Sequence, residues 1–326
     1  MNKKQKKIIL VTGAAGFIGS NLANELLRLN YQVVGLDNFL DNYEVSIKKN
    51  NIRRLLSFKH FTFYETNILD VTDLEKIFST YRFDIIIHLA ARAGIRPSLV
   101  LPQAYFETNV IGTINILELM RKKSIKQLIF ASSSSVYGNN KKTPFSETDN
   151  TDHPVSPYGA SKKSAEIICQ TYAHLYQIQT TVFRFFSVYG NAGRPDMAPY
   201  IFSQAILHKK PIRVFGKSIT RDYTHIDDIV RGIISGIEHP TQFEIINLGN
   251  NSPIGLEQLI GSLEKILHKK SDVIHEGRVS GDVNTTYADI RKAKKLLDWE
   301  PLVSLEKGLK QFTKWLQMNG PTHDSS

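Results

Sequence analysis

LVTGAAGFIGSNL, residues 10–22, places Gly13, Gly16 and Gly19 between an apolar run and the start of an amphipathic one. The first glycine permits a tight turn, the second lets the backbone approach a pyrophosphate, and the third lets a helix pack closely on a strand. A helix opening at Phe17 and Ile18 presents amide donors and a partial positive charge to a phosphate. Strand, turn and helix in this order predict a dinucleotide site. Asp37 closes the next apolar run, YQVVGLD, where a carboxylate can accept from both ribose hydroxyls; Asn38 follows it. The same carboxylate repels a 2′-phosphate, and no Arg stands beside it. NAD is therefore expected rather than NADP.

Outward from this turn the first half alternates strands and helices. KIILVTG, YQVVGLDN, FTFYE, FDIIIHLAA and QLIFASSSS are near-continuously apolar, as strands buried on both faces are. FIGSNLANELLRLN, VTDLEKIFSTY and AYFETNVIGTINILELMRKK carry apolar residues three and four apart. The pattern predicts an α/β fold with a doubly wound parallel sheet, which binds ligands at the carboxyl ends of its strands.

After about residue 188 the rhythm becomes irregular. Short strands (PIRVFG, FEIINLG, SDVIHE) mix with helices (PYIFSQAILHKK, IDDIVRGIISGIE, GLEQLIGSLEKILHKK, SLEKGLKQFTKWLQ). Residues 1–187 are expected to form the cofactor-binding domain, and residues 188–326 a smaller, interleaved α/β lobe that mainly binds substrate.

The composition narrows the functional classes. A chain of 326 residues with 41% hydrophobic content builds a sizeable core, and no run reaches the length of a membrane span. The start, MNKKQKKIILVTG, lacks the pattern of a signal peptide, and a cytoplasmic location without membrane attachment is expected. The single cysteine, Cys169, allows no internal disulfide and no zinc cluster, and lies in an apolar helical pattern that reads as packing. The net charge of +10 raises the question of nucleic acid. Its basic residues are dispersed, and the one dense cluster, Lys3, Lys4, Lys6 and Lys7, precedes the first strand as a solvated tail. No nucleic-acid partner is expected; small anionic substrates suit the charge. His88 and His225 read as packing or surface histidines, and no metal site is expected.

Two further stretches carry chemistry. IFASSSSVYG, residues 129–138, ends a buried strand in four hydroxyls, at the sheet edge where ligand binds. SPYGASKKSAE, residues 156–166, places Tyr158 and Lys162 on one helix face. A phenol with an ordinary pKa of about 10 needs help to act as a base, and a nearby ammonium together with a cationic nicotinamide would stabilise its phenolate. The ammonium can also hold the nicotinamide ribose, and a serine hydroxyl can bind the alcohol that the phenolate deprotonates.

Together these stretches resemble the extended short-chain dehydrogenase/reductase family, which has a Rossmann domain. The resemblance runs through Thr12–Gly19, His88-Leu89-Ala90-Ala91, the serine run with Val136-Tyr137-Gly138, Tyr158-x-x-x-Lys162, Arg184–Gly190, Arg221-Asp222-Tyr223 and Gly281-Asp282-Val283. It implies Ser133, Tyr158 and Lys162 as the catalytic residues. It adds Asn67, Ile68, Leu89, Ala90, Ala91 and Phe185 to the cofactor set, with Asn67 standing where an Asp usually meets the adenine. Asn109 is implied to brace the sheet against the catalytic helix.

For substrate the resemblance implies a UDP-sugar, met by Arg92, Ser133, Ser134, Ser135 and Ser187. Arg221 falls where the family binds the diphosphate and Asp282 near the uridine ribose; Arg278 and Val279 depart from the neighbouring galactose epimerases, whose arginine stands at position 279. Sugar 4,6-dehydratases carry Asp and Glu where Ser134 and Ser135 stand, which argues against dehydration. AGIRPS, SVYG, HPVSPYGASK and GRPDMA most resemble the UDP-glucuronate 4-epimerases of bacteria and plants, in which the arginine matching Arg194 faces the uronate carboxylate. Rival expectations are epimerisation of UDP-N-acetylglucosamine or its uronate, decarboxylation of UDP-glucuronate, and a non-catalytic NAD-binding regulator. A homodimer is implied, paired through helices around 103–122 and 156–176.

Overall fold

The computed structural model describes residues 6–216, 218–277, 281 and 283–319. Asp282, Arg278 and Val279 lie outside the described residues.

Six strands of the first half, β1 (Ile8–Thr12), β2 (Gln32–Asp37), β3 (Phe61–Glu65), β4 (Ile85–His88), β5 (Gln127–Ser133) and β6 (Gln179–Phe185), form one parallel sheet. Its order from one edge is β3-β2-β1-β4-β5-β6, so the winding reverses between β1 and β4. Both faces are covered, which is why the strand sequences are apolar throughout. On one face, α1 (Phe17–Arg28) and α2 (Val45–Leu55) bury Leu22, Leu26, Ile52 and Leu55. On the other, α3 (Val71–Thr80) contributes Leu74 and Ile77.

After β4 the chain turns through α4 (Ile95–Val100) and α5 (Pro102–Phe106). The helix expected without interruption around 103–122 is broken: a π turn, Glu107–Ile111, separates α5 from α6 (Gly112–Lys122). The wide turn carries Asn109, which bonds the Arg92 N–H and carbonyl of the loop after β4. The catalytic-pattern helix, α7 (Pro157–Tyr176), starts with Pro157 at its first position and is capped by Ser156 Oγ, which accepts from Gly159 N at 3.1 Å.

In the second half, β7 (Ser187–Tyr189), β9 (Thr220–His225) and β11 (Pro253–Gly255) form a three-stranded sheet, and β8 (Ile212–Phe215) pairs with β12 (Val273–Glu276). The helices α8 (Ala198–Leu207), α10 (Leu256–Leu267) and α12 (Leu305–Asn319) pack on these strands around Phe202, Ile206, Leu259 and Leu309. The run FEIINLG does not stay in this lobe. As β10 (Phe243–Leu248) it joins the main sheet as a seventh strand, parallel to β6, because both faces of its Ile246 and Leu248 end are covered. The helices α9 (Ile226–Glu238) before it and α11 (Arg291–Leu297) after it pack on the sheet face that α1 covers. Among the described residues no helix is long and apolar enough to cross a membrane.

Candidate active site

A cleft of about 990 Å3 runs along the carboxyl ends of the main strands to the second lobe. Its wall contains every site residue expected from the sequence except Asp282, which lies outside the described residues.

One end is built by the winding reversal. Gly13 adopts φ +71°, and a Cβ there would lie 2.8 Å from the Ala90 N. Gly19 permits α1 to cross the turn, since a Cβ on it would come within 2.0 Å of the Gly13 carbonyl oxygen. The turn is thus pressed against Leu89, Ala90 and Ala91, while Gly16, Phe17 and Ile18 begin the helix. Asp37 ends β2 and accepts from Ala15 N at 3.1 Å and Phe39 N at 2.9 Å. Burial pushes its carboxyl up; the Lys48 charge and these N–H groups pull it back. Asn67 and Ile68 lie past β3, and Phe185 ends β6. Asn67 Oδ1 already accepts from Leu69 N at 3.0 Å, so its amide NH2 is the group left to give. The glycine turn, the helix N-terminus and a carboxylate at the end of β2 fit a dinucleotide.

The middle of the cleft gathers the hydroxyls. Ser133 closes β5, and its Oγ takes the Ser135 N–H at 3.1 Å while donating to Ser135 Oγ at 3.2 Å. Ser134 and Ser135 continue in a short 3-10 turn. Tyr158, in the first turn of α7, is half-buried and edge-on to Tyr105, ring centres 6.1 Å apart. Burial raises the phenol; the contact with the Ser133 hydroxyl and the Arg194 charge act the other way. The Lys162 ammonium, one turn further along α7, is buried 4.7 Å over the Phe130 ring, and burial draws it down to about 8.

A continuous chain of hydrogen bonds ties these parts together. Thr113 Oγ1 donates to the Asn109 carbonyl at 2.7 Å, so at the His88 Nε2 contact of 3.1 Å it must accept. The His88 proton is therefore on Nε2, and Nδ1 takes the Thr12 hydroxyl at 2.7 Å. Thr12 Oγ1 in turn receives Ala90 N at 3.1 Å. Asn109 binds the Arg92 N–H at 2.8 Å and carbonyl at 3.0 Å, and donates to Ser161 Oγ at 2.9 Å. Ser161 Oγ reaches the Tyr158 carbonyl at 2.9 Å. His88, expected as a packing or surface histidine, is a buried neutral link between the glycine turn and α7, its pKa pulled to about 3 by burial and the Lys162 charge.

The far end belongs to the second lobe. Ser187 opens β7, and Arg221 on β9 donates from Nη1 to the carbonyls of Thr220 at 2.9 Å and Asn284 at 3.1 Å. Arg194 grips Asp196 with a fork, Nε to Oδ1 at 2.9 Å and Nη2 to Oδ2 at 2.5 Å. The sequence reading missed Asp196, although an Arg and an Asp two apart in a Gly-Pro turn carry that signal. It also missed Lys48, a lysine in a polar helix with no motif around it. The side chain is buried, lines the cleft, and donates to Leu40 O at 2.6 Å and Asn42 Oδ1 at 2.8 Å. Arg96 and Phe215 meet across the two lobes, the guanidinium 4.5 Å from the ring centre. Such a pairing cannot be read from positions so far apart in sequence.

A glycine turn at the winding reversal of a parallel sheet, sharing its cleft with Ser133, Tyr158 and Lys162, defines an extended short-chain dehydrogenase/reductase. The family model described as GDP-mannose 4,6 dehydratase matches residues 10–312, and the chain belongs to that family. It is 45% identical over 312 residues to a UDP-glucuronate 4-epimerase of Thermodesulfobacterium geofontis, a match covering 95% of this chain and 96% of the relative. The UDP-glucuronic acid 4-epimerase of Bacillus cereus, solved in complex with UDP-glucuronic acid and NAD, superposes with a TM-score of 0.90 at 37% identity, covering 95% of this chain and 99% of that one. A UDP-glucose 4-epimerase of Thermotoga maritima, solved with UDP-glucose, gives 0.89 at 35% identity, covering 95% and 99%.

Proposed function

We propose that this protein is an NAD-dependent UDP-sugar 4-epimerase whose substrate is UDP-glucuronate and whose product is UDP-galacturonate. The observation that carries the reading is the meeting, in one cleft, of a dinucleotide cradle, a Ser133–Tyr158 pair and the Arg194 fork. Tyr158 is assigned as the base that takes the proton of the sugar 4-hydroxyl, with Ser133 holding the same oxygen. Lys162 is assigned to the cofactor ribose. NAD held in the cradle would supply a reversible hydride acceptor, the chemistry by which a C4 alcohol could be oxidised to a ketone and reduced on its opposite face. Arg194 lines the same cleft with Nε and Nη2 on Asp196, so a uronate carboxylate would be met by its remaining Nη1 edge. Ser134 and Ser135 replace the acid and base that water loss needs, so the dehydratase chemistry in the family's name is not assigned here.

Incubating the purified protein with UDP-glucuronate without added NAD, followed by product NMR, tests the reading. UDP-galacturonate should form; preferential turnover of UDP-glucose or UDP-N-acetylglucosamine in parallel tubes would overturn the choice of sugar. The likeness to the Thermotoga enzyme makes UDP-glucose the second reading.

We further propose a cytoplasmic homodimer. Phe106, Ile111 and Ile167 lie exposed on α5, the π turn and α7, which pack together, and Val100 at the end of α4 is 77% exposed. Ile167→Asp should yield a monomer in sedimentation velocity; an unchanged or initially monomeric species removes the proposal.

A further inference from the structure

Behind the serine strand lies a charged pair that the assigned chemistry does not use. Arg184 of β6 meets Glu166 of α7 side-on, Nε to Oε1 at 2.9 Å and Nη2 to Oε2 at 2.8 Å, and both side chains are 2% exposed. Ser132 Oγ donates to the same Oε1 at 2.5 Å. The guanidinium also lies 4.8 Å from the Tyr137 ring centre, yet its Nη1 has no partner. Burying two ions is costly, and well-packed apolar residues often replace such a pair without loss of stability. Stability alone is therefore a poor reason for this one.

Its position supplies a better reason. Tyr158, Lys162 and Glu166 succeed one another at four-residue intervals on α7 and so share a face. Ser132 and Ser133 are neighbours on β5, so their side chains leave the strand on opposite faces. One reaches the cleft; the other reaches Glu166. We propose that Glu166, held by Arg184, is a positioning residue for the reaction: its carboxylate clamps the Ser133 strand end to the helix of Tyr158 and Lys162 and places an anion one helical turn beyond Lys162. The proposal rests on the epimerase reading above.

The surroundings of Lys162 leave this role to Glu166. On α7 its titratable neighbours are Cys169, whose thiol burial pushes up and keeps neutral, Glu166, and Tyr158 one turn before, whose phenol burial also pushes up. From β4 comes His88, also neutral, while Arg184 of β6 binds Glu166. Glu166 is the anion among these groups. Its charge raises Lys162 against the effect of burial.

The test measures NAD affinity of the apoprotein against pH, together with kcat and KM for UDP-glucuronate. In Glu166→Gln the pH at which NAD binding weakens should fall by about one pH unit. The kcat should drop about tenfold or more with KM within about twofold, as misplacement of a reacting group predicts. A wild-type pH profile with wild-type kcat in this variant overturns the proposal. If Glu166→Gln does not fold, Glu166→Met/Arg184→Met decides, since it removes both charges while keeping apolar packing. Normal kcat and an unmoved pH profile in that variant reduce the pair to structure. Should the wild-type protein turn over no UDP-sugar, the epimerase reading fails on its own, and the NAD-binding profile still decides the role of Glu166.

Discussion

At the scale of the residue, three side chains divide the work by environment. Tyr158→Phe removes the assigned base and should cut kcat about a thousandfold while NAD still binds, measured by single-turnover kinetics and cofactor fluorescence. Lys162, drawn down to about 8 by burial, is charged at neutral pH and loses its proton just above it. Binding of NAD to the apoprotein should therefore weaken as the pH rises through about 8, with the charged form present below that value; calorimetry across that range checks it. Arg194 serves two partners, the Asp196 carboxylate and the electrostatics of the Tyr158 phenol. Arg194→Ala should raise KM for UDP-glucuronate about thirtyfold, the equivalent of about 2 kcal/mol. A 4-keto uronate is a β-keto acid, so the same variant should also release more decarboxylated pentose product; an unchanged epimer-to-pentose ratio would remove that part of its role.

At the scale of the element, the cofactor end of the site was legible and the substrate end was only partly so. The glycine turn could be read because its requirements are local: Gly13 needs a positive φ, and Gly19 needs room against the Gly13 carbonyl. Gly19→Ala places a methyl group where a backbone oxygen stands, and should yield a protein that loses its cofactor and melts well below the wild type in calorimetry. The buried strands were legible because two covered faces demand unbroken apolar runs. The strand β9 was not, because TRDYTH has no such run; it is held instead by Asp222, whose carboxylate receives Asn250 N at 2.6 Å, Asn251 N at 3.1 Å and Ala288 N at 2.9 Å. The π turn escaped too, since apolar spacing over residues 104–123 reads as one helix, and the pull of Asn109 on Arg92 acts through space. Motif resemblance reached Arg194 and Arg221, but Lys48 and the Arg96–Phe215 contact depend on how distant segments fold together.

At the scale of the whole molecule, a buried histidine contributes to acid sensitivity. His88 titrates near 3 in the folded chain and near 6.5 in an unfolded one, so between those values the unfolded chain holds the extra proton. Its stabilising contribution is complete above about 6.5 and lost at about 1.4 kcal/mol per pH unit below it, while Asp222, raised to about 6 by burial, acts in the opposite sense; urea titrations of wild type and His88→Gln at successive pH values isolate the histidine's share. His88→Gln should flatten that slope. The pairing of β10 with β6 has a consequence for how the protein is made. The outer edge of β6 stays open until residue 248 has left the ribosome, when most of the polypeptide has already been synthesised. A nascent chain stalled at residue 187 would carry that bare edge into the cell, a natural target for chaperones.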